Sequence, residues 1–326
     1  MTSDAEGSSA ASSPTSTSSA RIVGVDVGGT KILGLALDAS GAPAGEAARV
    51  ATPRGAEALL DSVAGIVTTF GNVTAIGVGI AGLVDRSGTL RIGPNLPGIL
   101  ELAIAAPLRD RLAVPVTVEN DATCATWAEA RVGAAAGASD VLLVTLGTGI
   151  GGGMVAGGAL QRGANGFAGE PGHMVVDPKG PRCPCGRRGC WERYASGSGL
   201  GRMAREAAEA GRADRVVELA GGDPDDVRGE HVTRAASEGD EGALAVLDEL
   251  GWWAALGIAN LVDLLDPEVV VVGGGLVEAG DLLLGPIRRS FAELVLAADH
   301  RPPVSIVPAA LGERAGAIGA ALLASP

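Results

Sequence analysis

Apolar and polar positions along this chain mark out its elements before any chemistry is considered. Ile22-Val23-Gly24-Val25-Asp26-Val27 is a short β-branched run that ends in Gly28-Gly29-Thr30, and residues 31–37 return as the second strand of a hairpin. Residues 55–70 carry apolar positions at helical spacing, whereas residues 75–80 form a continuous apolar run of the kind expected for a buried strand. Gly82 and Gly93-Pro94-Asn95-Leu96-Pro97-Gly98 read as loops. A short strand at 116–118 runs into Glu119-Asn120-Asp121, and an Ala-rich helix follows to about Arg131. Val141-Leu142-Leu143-Val144-Thr145-Leu146 is again a strand and breaks at Gly147-Thr148-Gly149. Residues 199–250 read as charged helix, and 252–265 as an apolar helix stopped by Asp266-Pro267. Val269-Val270-Val271-Val272 is a fully buried strand entering Gly273-Gly274-Gly275, and residues 312–324 read as a last helix rich in small residues.

Two of these units resemble each other. Val25-Asp26-Val27-Gly28-Gly29-Thr30 lines up with Val144-Thr145-Leu146-Gly147-Thr148-Gly149, about 120 residues on. A strand–glycine–strand unit occurring twice predicts a duplicated α/β domain, each copy with its own turn.

Composition narrows the partners. At 326 residues the chain can build two domains, and 47% hydrophobic content suits a globular core. The formal net charge of −13 argues against nucleic acid as a main partner. An anionic substrate must then be met by local dipoles, not by the global field. No stretch reads as a membrane span. Residues 1–20 are rich in Ser, Thr and Ala and lack both a basic start and an apolar run. They are expected to be a disordered tail without export function, which implies a cytoplasmic protein.

A glycine at a strand-to-turn junction lets successive backbone N–H groups approach a phosphate. Gly28-Gly29-Thr30 and Gly147-Thr148-Gly149 both qualify, and each adds a threonine hydroxyl. Gly273-Gly274-Gly275 would let a flat adenosine pack on bare backbone. One such turn is ordinary hairpin geometry. Three, two of them in register as a repeat, point to nucleotide binding. No Gly-x4-Gly-Lys-Ser/Thr loop occurs, and the glycines at 149–152 lie in a hairpin pattern and not in a strand–helix crossover.

Asp121 follows a strand and opens a helix, with Asn120 before it. That position suits a helix N-cap. It also suits a general base, because it places a carboxylate at the C-terminal edge of a strand, where ligands bind in α/β sheets. Phosphoryl transfer to an alcohol needs such a carboxylate on the attacking hydroxyl, with Asn120 able to donate and accept toward a sugar.

Between Glu170 and Glu192, Glu170-Pro-Gly-His173 is followed by Cys183-Pro-Cys185-Gly-Arg-Arg-Gly-Cys190-Trp-Glu192. One histidine and three cysteines supply four ligands for a tetrahedral zinc, the alternatives being disulfides or plain thiols. Four protein ligands leave the metal no open position, so its role would be structural. The remaining cysteine, Cys124, reads as a small buried apolar residue.

These motifs together resemble the ROK family (repressor, open reading frame, kinase), and within it the bacterial glucokinases. The residues that carry the resemblance are Asp26-Val-Gly-Gly-Thr-Lys31, Glu119-Asn120-Asp121, Leu146-Gly-Thr-Gly-Ile-Gly-Gly-Gly153, Glu170-Pro-Gly-His173 and the Cys183–Glu192 run, and the likeness covers nearly the whole chain after residue 20. It implies the duplicated actin-like ATPase (ribonuclease H-like) fold, two lobes around a cleft. The smaller lobe would be residues 21–133 plus 311–326, and the larger 134–310, with the zinc-binding loop at 170–192. It implies transfer of the ATP γ-phosphate to the 6-hydroxyl of glucose, with Asp121 as base. Asn95, Asn120, Glu170, His173 and Glu192 would bind the sugar. Gly28, Gly29, Thr30, Lys31, Gly147, Thr148 and Gly149 would meet the phosphates of ATP with Mg²⁺, and Gly273, Gly274 and Gly275 the adenosine. Structural Zn²⁺ would sit on His173, Cys183, Cys185 and Cys190. The resemblance also leads us to expect a homo-oligomer, dimer or tetramer. Other sugars of the family (N-acetylglucosamine, N-acetylmannosamine or mannose), polyphosphate as donor, and a sugar-sensing regulator without catalysis are the alternatives. Family repressors carry an N-terminal DNA-binding segment, for which the 20 residues before Arg21 are too few. Ala81 and Ile99 depart from the proline and the nearby tryptophan that many members carry around the sugar loop.

Overall fold

The computed structural model describes residues 21–325 except Ala39 and Pro97; the tail expected over residues 1–20 lies outside them. The first hairpin is β1 (Arg21–Val27) and β2 (Lys31–Leu37), followed by β3 (Ala48–Ala51), helix α1 (Ala56–Thr68) and β4 (Val73–Ile80). A small antiparallel sheet of β5 (Leu83–Val84), β6 (Thr89–Ile92) and β7 (Leu100–Ala103) comes next, a feature the sequence pattern did not reveal. Helix α2 (Ala105–Leu112), β8 (Val116–Asn120) and α3 (Asp121–Val132) complete the first repeat. The second runs through β9 (Val141–Leu146), β10 (Ile150–Ala156), β11 (Ala159–Leu160), then α4 (Gly197–Glu209), α5 (Asp214–Leu219), α6 (Gly229–Ser237) and α7 (Glu241–Leu265). It closes with β12 (Val269–Gly273), α8 (Asp281–Leu294), β13 (Ser305–Pro308) and α9 (Ala315–Ala324).

The predicted duplication is visible in strand order. One five-stranded sheet reads β3-β2-β1-β4-β8 and the other β11-β10-β9-β12-β13. In each, the first two strands are antiparallel and the last two run parallel to the first. The two glycine turns are equivalent but not equal. Four residues, 28–31, lie between the paired Val27 and Ile32. Three, 147–149, lie between Leu146 and Ile150.

Period-2 alternation decides what each face of the first sheet meets. Val23, Val25 and Val27 of β1 join Ile76, Val78 and Ile80 of β4 against Leu59, Leu60, Val63 and Ile66 of α1. The opposite face presents Gly24 and Gly77, and α9 lies on it so closely that a Cβ at either position would collide with backbone carbonyls of Ala317 or Ala320. Asp26 is on that same face. On the second sheet Gly151 and Gly153 of β10 play the same part toward Ala122 and Thr126 of α3. The last helix of each repeat therefore packs on the sheet of the other, and α3 and α9 cross at Cys124 and Gly319.

Helix α7 starts at Glu241, eleven residues earlier than the apolar pattern suggests, because Asp240 caps it by accepting from the Ala243 amide at 2.8 Å. At 25 residues and mean hydropathy 1.3 it is long and apolar enough to cross a membrane by length and composition, which differs from the sequence reading. Eleven of its 25 residues are buried against this molecule's own core, where Trp191, Leu247, Ala254 and Ile258 join the same cluster.

Candidate functional site

Asp121 is where the two repeats meet. Asn120 takes the capping role: its Oδ1 accepts from the Thr123 amide at 2.9 Å, and its Nδ2 donates to Gly82 O at 3.1 Å. The Asp121 carboxylate accepts from the Ala122 amide at 2.9 Å through Oδ1, and its own amide and the Asn120 side chain also favour its charged form. Burial pushes its pKa up. Asn120, in turn, has less left for a sugar than its position suggested.

Two further carboxylates feel that charge. Asp26, at the end of β1, is pushed up to about 7, first by burial and then by Asp121, with Lys31 opposing. Its carboxylate lies against Gly316 in the first turn of α9, where the helix dipole favours an anion. Glu170 is also pushed up to about 7, by burial, then Asp121, then Glu192. The base predicted from sequence and the acids of the cysteine loop are thus brought together. Asp26, which had served only as a motif letter, joins them. Such a group titrates as a unit.

A pH dependence follows. A raised carboxylate pKa means the proton is held to higher pH, so the basic form is lost as pH falls through about 7. For the sugar kinase that the resemblance implies, kcat/KM for sugar at saturating Mg·ATP should fall about tenfold per pH unit below that point as Glu170 takes up its proton, whereas an unperturbed carboxylate would stay ionised to about pH 4. Initial rates between pH 5 and 8 check this; a flat profile to pH 5 would contradict the grouping.

The cysteine loop forms the expected cluster. Donor atoms of His173, Cys183, Cys185 and Cys190 all lie within 4.8 Å of one another. Cys185 Sγ and Cys190 Sγ are 3.5 Å apart, and Cys183 Sγ is 3.9 Å from His173 Nδ1. A tetrahedral zinc with bonds of about 2.3 Å separates its ligands by roughly 3.8 Å, so this set fits one. All four cysteines are free thiols, which removes the disulfide alternative, and Cys124 is fully buried as expected. Glu192 leans on the cluster, with Oε1 3.1 Å from Cys183 Sγ and 3.7 Å from His173 Nδ1.

The same loop is tied to the second glycine turn. The carboxylate of Glu192 abuts Gly149. Beyond it, Gly197 N donates to Gly147 O and Ser198 Oγ to Thr148 O, both at 2.7 Å. Gly274, at φ 83°, presses its backbone onto Leu146, which brings Gly273-Gly274-Gly275 beside the turn. At the first turn Gly28 N donates to Lys31 O at 3.0 Å, and Thr52 Oγ1 donates to Gly28 O at 2.6 Å. Thr30 is exposed there. Lys31 is engaged elsewhere, paired with Glu313 at 2.7 Å. Asn95 sits in its loop with its backbone against Gly29, beside a pocket of about 180 Å³ that Arg54 and Thr52 also line. Sequence reasoning missed a partly buried ion pair, Arg162 with the buried Glu119, which links the segment after β11 to the residue before Asn120.

Two copies of one sheet order, a glycine turn on each, and a helix-borne carboxylate between them define the actin-like class of sugar kinases and ATPases. The sequence profile of the ROK family matches residues 22–326, and the chain belongs to that family. It is 41% identical to a glucokinase of Streptomyces coelicolor over 93% of this chain and 96% of that one. A glucokinase of Thermotoga maritima is 36% identical over 76% of this chain and 77% of its own. Among solved structures, a ROK family glucokinase from Streptomyces griseus in complex with glucose and AMPPNP superposes with TM-score 0.83 at 41% identity, covering 93% of this chain and 99% of that one.

Proposed function

We propose that this chain is an ATP-dependent glucokinase in which Asp121 takes the proton from the sugar 6-hydroxyl. The observation that carries the reading is the Asp121 carboxylate itself, half-buried, with the helix cap supplied by Asn120, and within electrostatic reach of both Asp26 and Glu170. A base with a raised pKa is better matched to an alcohol proton than an ordinary carboxylate. Glu170, His173 and Glu192 would hold the other hydroxyls, with Asn95 and the second N–H of Asn120. The turns at 28–30 and 147–149 would cradle the phosphates through backbone N–H groups, and Gly273-Gly274-Gly275 would face adenosine. Mg²⁺ carried with ATP would neutralise charge on the phosphoryl group in flight, and Asp26 would be the half-buried carboxylate to meet it, since a cation would favour its ionised form. His173, Cys183, Cys185 and Cys190 would hold a structural Zn²⁺. Once Cys183 is a metal-bound thiolate it no longer donates to Glu192, which leaves that carboxylate free for a hydroxyl.

The lead over other family sugars rests on the glucokinase relatives at 41% identity and on the nucleotide turns. Initial rates over a panel of hexoses and N-acetylhexosamines, with ATP and with polyphosphate, test it. Glucose with ATP should give the highest kcat/KM; preferred turnover of N-acetylmannosamine, or of any sugar with polyphosphate alone, would overturn the reading.

A further inference from the structure

Glu129 is a fully buried carboxylate that none of the foregoing chemistry uses. It lies near the C-terminal end of α3, and its partners are backbone amides. Oε2 accepts from Ala134 N at 2.7 Å and from Ala310 N at 3.1 Å, and Oε1 from Leu311 N at 2.8 Å. Its carbonyl accepts from Gly133 N at 3.2 Å and Ala135 N at 3.0 Å, which ends the helix. A Cβ at residue 133 would collide with the carboxylate, so glycine there is part of the arrangement.

Those amides belong to the two places where the chain passes between the sheets. Residues 133–140 lead from α3 to β9, and residues 309–314 lead from β13 to α9. Ala309 N still bonds Val272 O at 2.8 Å, so the chain leaves the second sheet at Ala310. One side chain, 181 and 182 residues away in sequence, therefore holds both crossings to one helix end. The other end of that helix carries Asp121, roughly 16 Å away at 1.5 Å per residue.

We infer that Glu129 is the positioning residue of an inter-lobe hinge: it pins both crossings to α3, and so fixes how Asp121 and the first glycine turn meet the acids of the cysteine loop. A carboxylate suits this place because each oxygen accepts more than one bond and needs no hydrogen of its own. Three amides on two segments then share one rigid planar group, and the lobes can rotate about that point without losing the backbone bonds. The kinetic and scattering arms of the test rest on the glucokinase reading.

Glu129→Gln keeps the shape but replaces one accepting oxygen with an NH₂ that opposes an amide donor. A hinge role predicts that sugar KM rises and kcat falls together, for a loss of about 10–100-fold in kcat/KM, and that the glucose-induced contraction seen by small-angle scattering shrinks. A purely structural residue would lower Tm and leave both unchanged. Glu129→Asp, which keeps the charge on a shorter stem, should recover part of the loss. A folded Gln variant with kinetics within twofold of wild type and normal contraction overturns the inference. Hydrogen exchange on the wild-type protein decides the case where the variant fails to fold. The amides of Ala134, Ala310 and Leu311 should exchange slowly with and without glucose, and fast exchange at these three in the free protein overturns the pin. That measurement needs no turnover, so it stands or falls apart from the kinase reading.

Discussion

Asp121→Asn should lower kcat by about 10²–10⁴-fold while the fold and sugar affinity persist, the range expected for removal of a general base. That loss corresponds to roughly 3–5 kcal/mol of transition-state stabilisation. The substitution is close to isosteric and keeps an oxygen for the Ala122 amide. The helix cap belongs to Asn120 and is untouched. Stability should move the opposite way from activity. A carboxyl whose folded pKa lies above its unfolded value holds its proton more tightly when folded, so its contribution weakens as pH rises from the unfolded value through the folded one. Asp121 is raised by burial, so above that window its charge is a cost that asparagine removes. The variant should therefore melt no lower than wild type at pH 8. Calorimetric glucose titration, turnover and melting on one preparation check all three. Turnover within tenfold of wild type would remove Asp121 from the base role.

The contrast between Asn120 and Asp121 illustrates what was legible in the sequence. That one of the two would cap a helix, and that a carboxylate would sit at a strand edge, follow from residue type and local pattern. Which of them caps depends on where Gly82 O and the Thr123 amide lie, and that is a tertiary matter. The repeat, the turns and the cysteine cluster were readable for the same reason: each is local, or is two local units compared. Gly24 and Gly77 show the limit. Glycine inside a strand weakens it, and only the approach of α9 explains these two. Glu129 and the Arg162–Glu119 pair were invisible because their partners are remote in sequence. Lys31, expected from its motif near the phosphates, pairs at the surface with Glu313, a partner remote in sequence. Helix α7 was placed eleven residues late because Gly251 and the charges at Asp248 and Glu249 broke the apolar pattern, while Gly251 is buried against Pro286.

Removing the metal, by chelation or by Cys185→Ser, should raise the sugar KM by roughly 10–100-fold, the range seen when metal-site ligation is disturbed. The reason lies in what holds each part of the loop. Its base is anchored without metal. Trp191 is fully buried, its Nε1 donates to Trp253 O at 2.7 Å, and Tyr194 stacks on Trp253 at 4.0 Å. Tyr194 also donates to Asp177 at 2.7 Å. Its tip has no such packing. Residues 184–188 are exposed and are closed by turn bonds, such as Cys183 N to Arg187 O at 2.8 Å, while Gly189 is held to Val176, Asp177 and Pro181. Metal loss should then free the tip and leave the core folded, with faster hydrogen exchange confined to residues around 173–190 and a small fall in Tm. The effect should reach the nucleotide only weakly, because Gly197 and Ser198 hold the 147–149 turn through α4 and not through the cluster. Sugar KM rising at least tenfold with ATP KM within about threefold is the expected split, read alongside one zinc per chain by elemental analysis. Equal losses for both substrates would mean that the metal holds the whole lobe, and a wild-type protein without zinc would remove the staple altogether.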